Sequence, residues 1–355
     1  MKALLMGLLC TATIEARAFE IIPSGRLHLD YAAHDADVAP LNDRFLVRRA
    51  SIGLEGKING HWSFELNYDF ANGGGAKDVS LRYDGWKRSA ITLGQFKVPF
   101  GLEELTSSNN IPFIELSLPS ATFAPSRRIG VGFDRGGSAY TVAAMAFGPS
   151  IDGDEGRGVG ARVTFAPVNQ DSTVVHLGLA ASTERPKGEV RFGARPESRP
   201  TDIRLVRTGT LKAADRIHQL GLEAAWKTGP FSAQMEWMRS DVSRHSGQPD
   251  VDFHGWYVAG SWVLTGESRK YRDGVFKGLS PGQPGGAWEL TARYSRIHLD
   301  DGLVRGGKQD NVTLGINWYA NDHVRIMANY INVSSRRRGL SDDPNIFLLR
   351  TQIAF

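Results

Sequence analysis

Ile346-Phe347-Leu348-Leu349-Arg350-Thr351-Gln352-Ile353-Ala354-Phe355 decides the fold. Counting back in twos from Phe355 collects Ile353, Thr351, Leu349 and Phe347. The interleaved set, Ala354, Gln352 and Arg350, is small or polar. This is a period-two segment with one apolar face, and it ends on an aromatic with no polar tail. The last buried strand of a soluble sheet can carry such a pattern. A strand closing a cylinder in lipid must carry it, because one face meets hydrocarbon and the other meets water.

The rhythm recurs along the chain. Trp62, Phe64, Leu66, Tyr68 and Phe70 alternate with Ser63, Glu65, Asn67 and Asp69. Leu220, Leu222, Ala224 and Trp226 alternate with Gln219, Gly221, Glu223 and Ala225, and Val312, Leu314, Ile316 and Trp318 with Asn311, Thr313, Gly315 and Asn317. A soluble sandwich shares this alternation. Aromatic placement separates the two cases: Trp62, Trp86, Trp226, Trp256, Trp262, Trp288, Trp318, Tyr319 and Phe355 fall mostly near strand ends, where interfacial girdles belong.

The connections alternate between two kinds. Short turns fall at Asn59-Gly60, Lys87-Arg88, Gly136-Gly137, Pro167 to Asp171, Gly229-Pro230 and Asn321-Asp322. Longer polar loops occupy 33–44, 71–77, 99–127, 149–157, 183–215, 243–252, 300–307 and 335–345. The stretch near 267–285 is long, yet the alternation assigns it to the short-turn side. Arg204 to Arg207 is assigned to a loop, since one extra strand would break parity. The expected fold is all-β, a closed transmembrane antiparallel β-barrel of about 16 strands with both termini periplasmic. Its lumen is too wide for wall side chains to fill. The third long loop, 99–127, carries Phe100, Leu102, Leu105, Ile111, Phe113, Ile114, Leu116, Leu118 and Phe123. So many apolar residues need a surface to pack on, so this loop is expected to fold into the lumen.

Residues 1–18 read as a signal peptide: Lys2, an apolar run from Ala3 to Cys10, and Ala16-Arg17-Ala18 as the cleavage site. The barrel is expected over 19–355. Cys10 is the one cysteine, so no disulfide or thiolate chemistry is expected after cleavage. No segment beyond the leader reaches the ~18 apolar residues of a membrane helix, and mean hydropathy is negative. The 42 basic and 38 acidic side chains are spread along the chain, which argues against nucleic acid as a partner.

Several stretches, taken together, carry a family resemblance. They are Arg48 to Gly56 (RRASIGLEG), Gly94 to Glu103 (GQFKVPFGLE) and Thr106-Ser107-Ser108. Gly285 to Leu290 (GGAWEL), Leu314 to Asn321 (LGINWYAN) and the Arg350 to Phe355 end complete the set. The chain resembles the bacterial phosphate-selective porin O/P family. That resemblance implies a homotrimeric, 16-stranded outer-membrane porin whose third loop enters the lumen and whose lumenal Arg and Lys residues conduct phosphate-like anions. It departs from the phosphate-selective members, which place acidic residues before Phe-Gly-Leu-Glu, where this chain reads Gln95-Phe96-Lys97-Val98-Pro99. A strand ending in Phe also resembles the signal read by the outer-membrane assembly machinery.

Alternation places Arg49, Arg82, Arg162, Arg293 and Arg350 inside near mid-height, with Arg48 out of phase unless a bulge intervenes. Lys97, Arg127 and Arg128 flank the third loop. Glu103, Glu104 and Glu115 lie on the loop, and Glu223 and Glu236 on strands. Exposed bases at a constriction favour anions such as phosphate. Acids facing them give a transverse field and a weakly selective general porin. The expected function is passive diffusion of small hydrophilic solutes with anion preference. Outer-membrane lipids are the expected surroundings, and no cofactor is expected. The rival class, a barrel lipid hydrolase, would need a nucleophile supported by histidine. His28 with Asp30, His176, and His298 with Asp300 are candidates that no motif joins, and metal-ligand spacing is absent.

Overall fold

The computed structural model describes residues 20–355, so the expected leader lies outside the described residues. Sixteen antiparallel strands close into one barrel. The first eight are β1 Glu20–Asp35, β2 Arg44–Asn59, β3 Trp62–Asp69, β4 Gly75–Trp86, β5 Ser89–Lys97, β6 Arg127–Gly136, β7 Tyr140–Phe147 and β8 Arg157–Asn169. The rest are β9 Thr173–Arg185, β10 Leu211–Thr228, β11 Phe231–Arg244, β12 Val251–Val263, β13 Ala287–Asp301, β14 Val304–Tyr319, β15 Val324–Arg337 and β16 Asn345–Ala354. Strand β1 pairs with β2 on one side and β16 on the other, with Arg26 opposite Ala354 and Asp35 opposite Asn345. Phe355 completes the closing ladder: its N–H donates to Gly25 O at 3.0 Å, and Gly25 N–H donates to Phe355 O at 2.9 Å. Closure removes the open sheet edge that hydrocarbon does not tolerate.

Alternation sorts the two faces. On β10, Leu220, Leu222 and Trp226 are exposed outside, while Gly221, Glu223 and Lys227 are buried inside. On β14, Val312, Leu314 and Ile316 face out, while Asn311, Thr313 and Asn317 are buried. Aromatic pairs stand at both ends: at the short-turn end Phe231 stacks on Trp262, Trp288 on Trp318, and Tyr83 meets both Trp62 and Trp86, and at the long-loop end Tyr31 meets Phe45 and Tyr68 meets Phe70. Tyr319 departs from the expected girdle. It follows Trp318 directly, so it points the other way, and its hydroxyl donates to Glu289 at 2.7 Å inside the barrel.

Two expected loops are largely strand. Strands β13 and β14 pair as far as Asp301 and Val304, leaving a two-residue turn in place of a loop over 300–307. Strand β15 runs to Arg337 and turns at Arg338 and Gly339, φ 52° and 83°, into a short strand Leu340–Asp342. Beyond the lipid a strand needs no apolar face, so polar composition does not mark its end. Gly193–Ala194 pairs with Val206–Arg207 in a small separate sheet, so Arg204 to Arg207 stays outside the barrel ladder.

Three connections pack against inward-facing side chains. The 98–126 connection, between β5 and β6, holds helices α1 Leu102–Leu105 and α2 Leu118–Phe123, and α2 packs on β11, β12 and β13. The 186–210 connection adds Phe192, Ala194 and Val206 to a buried cluster with Phe123 and Phe253. From the short-turn end comes 264–286, whose hairpin of Tyr271–Arg272 and Val275–Phe276 sets Val275 and Phe276 against Leu102 and Ala225. Its length on the short-turn side serves to fill volume, which a tight turn cannot do.

Candidate functional site

The arginines picked out by alternation divide into those that hold the 98–126 connection and those on the opposite wall. Arg293, on β13, is 3% exposed. It meets Glu103 at 3.1 Å and Glu197 at 2.6 Å, donates to Glu115 O at 3.0 Å, and lies over the Phe113 ring. Arg350, on β16, is bidentate to Asp30 at 2.7 Å and reaches Glu115 at 2.9 Å and the Ile114 carbonyl. Arg325, on β15, donates to Ile111 O at 3.1 Å and Gln352 at 3.0 Å. Glu236 accepts the backbone N–H groups of Leu102 and Glu103, both at 2.7 Å, capping the start of α1, and Tyr257 donates to Glu236 at 2.6 Å. The polar groups of the loop are thus matched to wall groups over β11 to β16, as a backbone removed from water requires.

Across the lumen, β1 to β6 present inward side chains that stay partly exposed, among them Arg26, Arg49, Glu65, Asp78, Ser80 and Arg82. Two bulges alter the count of bases here. The β1–β2 register slips between His28 and Leu29, so Arg48 and Arg49 both fall opposite His28. Arg48 therefore turns inward and binds Glu115 at 2.6 and 3.1 Å. A second slip, between Leu66 and Tyr68 of β3, brings Lys77 in beside Asp78. Six bases, Arg26, Arg48, Arg49, Lys77, Lys97 and Arg127, then share the region with five acids, Glu65, Asp69, Asp78, Glu104 and Glu115. Most are matched. Arg127 is bidentate to Asp78 at 2.6 and 3.1 Å, and Lys97 lies 3.7 Å from the Glu104 carboxylate. Arg49 reaches Asp69 only at 3.8 Å. Arg26 donates to Ser108 at 3.4 Å, and neither it nor Lys77 forms an ion pair among the described residues. Burial by itself raises the Glu115 carboxyl; Arg48, then Arg350 and Arg49, outweigh burial and hold it well below the usual carboxylate range.

Toward the short-turn end the same wall opens into a cavity of about 810 Å³ lined by Arg82, Thr92, Lys97, Asp134, Arg162 and Lys277. Arg82 is bidentate to Asp134 at 2.5 and 2.8 Å. Arg162 binds Glu223 at 2.6 and 2.9 Å and Gly274 O at 2.9 Å, tying the 264–286 hairpin to β8 and β10. Arg128 lies at the long-loop end, 3.6 Å from Glu155 and 3.5 Å from Glu184. Sequence reasoning passed over Arg26 and Lys77. Arg26 was readable, because it alternates with Leu27 in step with His28 and Asp30. Lys77 was not, because its direction depends on the bulge.

The histidine groupings take other partners. His28 meets Asn109 at 3.2 Å, His176 lies between Tyr271 at 2.6 Å and Glu223 at 3.1 Å, and His298 is 3.9 Å from Asp300. None of the three bonds a serine. Among the described residues no group of three His, Cys, Asp or Glu side chains could hold a metal ion.

The comparisons agree with this architecture. Porin O of Pseudomonas aeruginosa is 28% identical over 98% of this chain and 91% of its own length. The anion-selective porin from Comamonas acidovorans superposes with a TM-score of 0.62 over 95% of this chain and all of that one, at 14% identity. OmpT of Vibrio cholerae, an outer membrane protein in trimer form, gives 0.63 over 95% and 100% at 11% identity. At such identities the two structures establish the fold alone. The family model described as phosphate-selective porin O and P matches residues 23–355, and the chain belongs to that family of bacterial outer-membrane porins.

Proposed function

We propose that small hydrophilic solutes cross between the β1–β6 wall and the 98–126 connection, with a mild preference for anions such as phosphate. The observation that carries this is the uneven pairing at the narrowing, where Arg26 and Lys77 have no carboxylate partner and Arg49 has a distant one. Exposed bases in a low-dielectric passage attract anions, and a guanidinium fork suits a phosphate. Arg82, Lys97, Arg127, Arg128 and Arg162 line the route with their charge largely spent on acids, and Arg293 and Arg350 shape it by seating the loop. Near-balance of six bases against five acids argues for modest selectivity. The test is the reversal potential across a planar bilayer in asymmetric potassium chloride, repeated in phosphate. Arg26→Gln with Lys77→Gln should move the wild-type anion preference toward zero, while Arg82→Gln should change it less. An unmoved reversal potential in the double variant removes these two bases from the route.

The homotrimer belongs to the same reading and is checked by light scattering of the detergent-solubilised protein. So does engagement of the outer-membrane assembly machinery through Phe355, a residue 68% exposed at the barrel seam. The surrounding partner is the lipid of the outer membrane, facing the apolar exterior.

A further inference from the structure

We propose that the outer face of β7 to β10 holds a phosphorylated, acylated glycolipid of the outer leaflet. Its phosphate sits on Arg157, Arg185 and Arg216, and an acyl chain lies in the groove beside them. The groove comes from a row of small side chains. Ala144, Ala161 and Ala181 stand opposite one another on β7, β8 and β9. Their methyl groups leave a depression of about 830 Å³ on the exterior, bounded toward the long-loop end by Val159, Thr183 and His218.

The arginines follow from strand geometry. Two residues beyond Val159, Thr183 and His218, on the same outward face, come Arg157, Arg185 and Arg216. Two residues of strand span roughly 6.5 Å, about the step from the top of a chain to its headgroup. Arg157 lies directly opposite Arg185 in the ladder, and like charges so placed destabilise a sheet. Among the described residues one acid approaches any of the three: Asp215, 3.9 Å from Arg185 and itself 50% exposed. Two outward arginines elsewhere on the barrel are matched. Arg239 has Asp241 at 2.7 Å and Asp252 at 3.6 Å, and Arg296 has Asp310 at 2.8 Å. Three poorly matched guanidinium groups above a hydrocarbon groove are complementary to a phosphate joined to acyl chains. A second copy meeting this face symmetrically would bring three more arginines against them. Long loops face outward in barrels of this class, which places the lipid in the outer leaflet, whose phosphates are carried on a glycolipid.

The experiment titrates the folded protein in detergent with hexa-acylated, bisphosphorylated lipid A, read by native mass spectrometry. Dephosphorylated lipid A and phosphatidylglycerol serve as comparison probes. Arg157→Gln with Arg185→Gln should weaken lipid A binding by at least about tenfold, as loss of charge-assisted bonds implies. Ala161→Phe with Ala181→Phe, which fills the groove, should weaken it too. Dephosphorylated lipid A should bind the wild type no better than it binds the arginine variant. Heat-modifiable migration and unchanged conductance show that the variants fold. Unchanged affinity in both variants overturns the proposal. So does phosphatidylglycerol binding as tightly as lipid A, or a change of oligomeric state in place of lipid loss, which would make the face a contact between copies.

Discussion

Replacing Arg293 by Met tests what seats the 98–126 connection. In the native protein this guanidinium is 3% exposed and lies between Glu103 and Glu197, which are 2% and 5% exposed. Methionine fills similar volume but leaves two buried carboxylates facing each other without a cation. Removing one partner of a buried ion pair costs about 3–5 kcal/mol, which is a factor of roughly 150 to 5,000 in the ratio of docked to detached loop. Detachment should appear in a planar bilayer as noisy, larger single-channel currents, and a cysteine at Ser117, buried in the native loop, should become reactive to a water-soluble thiol reagent. The control is the triple variant Arg293→Met, Glu103→Gln, Glu197→Gln. With the orphaned charges removed, most of the penalty should vanish and steady currents should return, because replacing a whole buried ion cluster by neutral groups is far less disruptive than breaking it. Quiet, native-sized currents from Arg293→Met, with Ser117→Cys still protected, would refute the claim that this arginine holds the loop.

Two further outcomes follow from the geometry. A Cβ at Gly25 would run into the far end of the Phe355 ring, so Gly25→Leu should turn that ring away from the seam and slow assembly, read as a loss of the heat-modifiable band; a normal band would remove the close approach from the assembly argument. Glu115 has its carboxyl depressed by Arg48, Arg350 and Arg49 against the opposing effect of burial. The contribution of a depressed carboxyl is present above its unfolded-state pKa and lost only as pH falls through the lower folded value, so Glu115 should add no transition to the conductance between pH 7 and 4, and a transition there that Glu115→Gln abolishes would contradict the pairing.

The barrel was legible because lipid on one side and water on the other impose a two-residue rhythm that no local interaction overrides, as Leu220, Leu222 and Trp226 against Glu223 and Lys227 show. Direction failed wherever the rhythm slipped. Arg48 and Lys77 point inward only because one extra residue is inserted beside each, and an insertion leaves no mark in composition. Tyr319 was grouped by chemistry with Trp318, although phase alone sends it inside. Loop ends were misjudged at 300–307 and 335–345 for a related reason, since above the lipid the rhythm that marks a strand is no longer required.

The charge balance along the passage was illegible for a deeper reason. Alternation reports which face a side chain takes and says nothing of its partner across the lumen, and the partners lie far away in the chain: Arg293 meets Glu103, and Arg350 meets Asp30 and Glu115. Each buried arginine matched to a carboxylate ceases to be a free charge and becomes an attachment point, so the larger the cluster of arginines seating the loop, the fewer remain to select solutes. On the proposed route, selectivity then rests on residues that the packing left over. Arg26 and Lys77 are small in number but unmatched, and an unmatched base beside the passage does more to an ion's potential than a paired one, whose field is largely cancelled a few ångströms away.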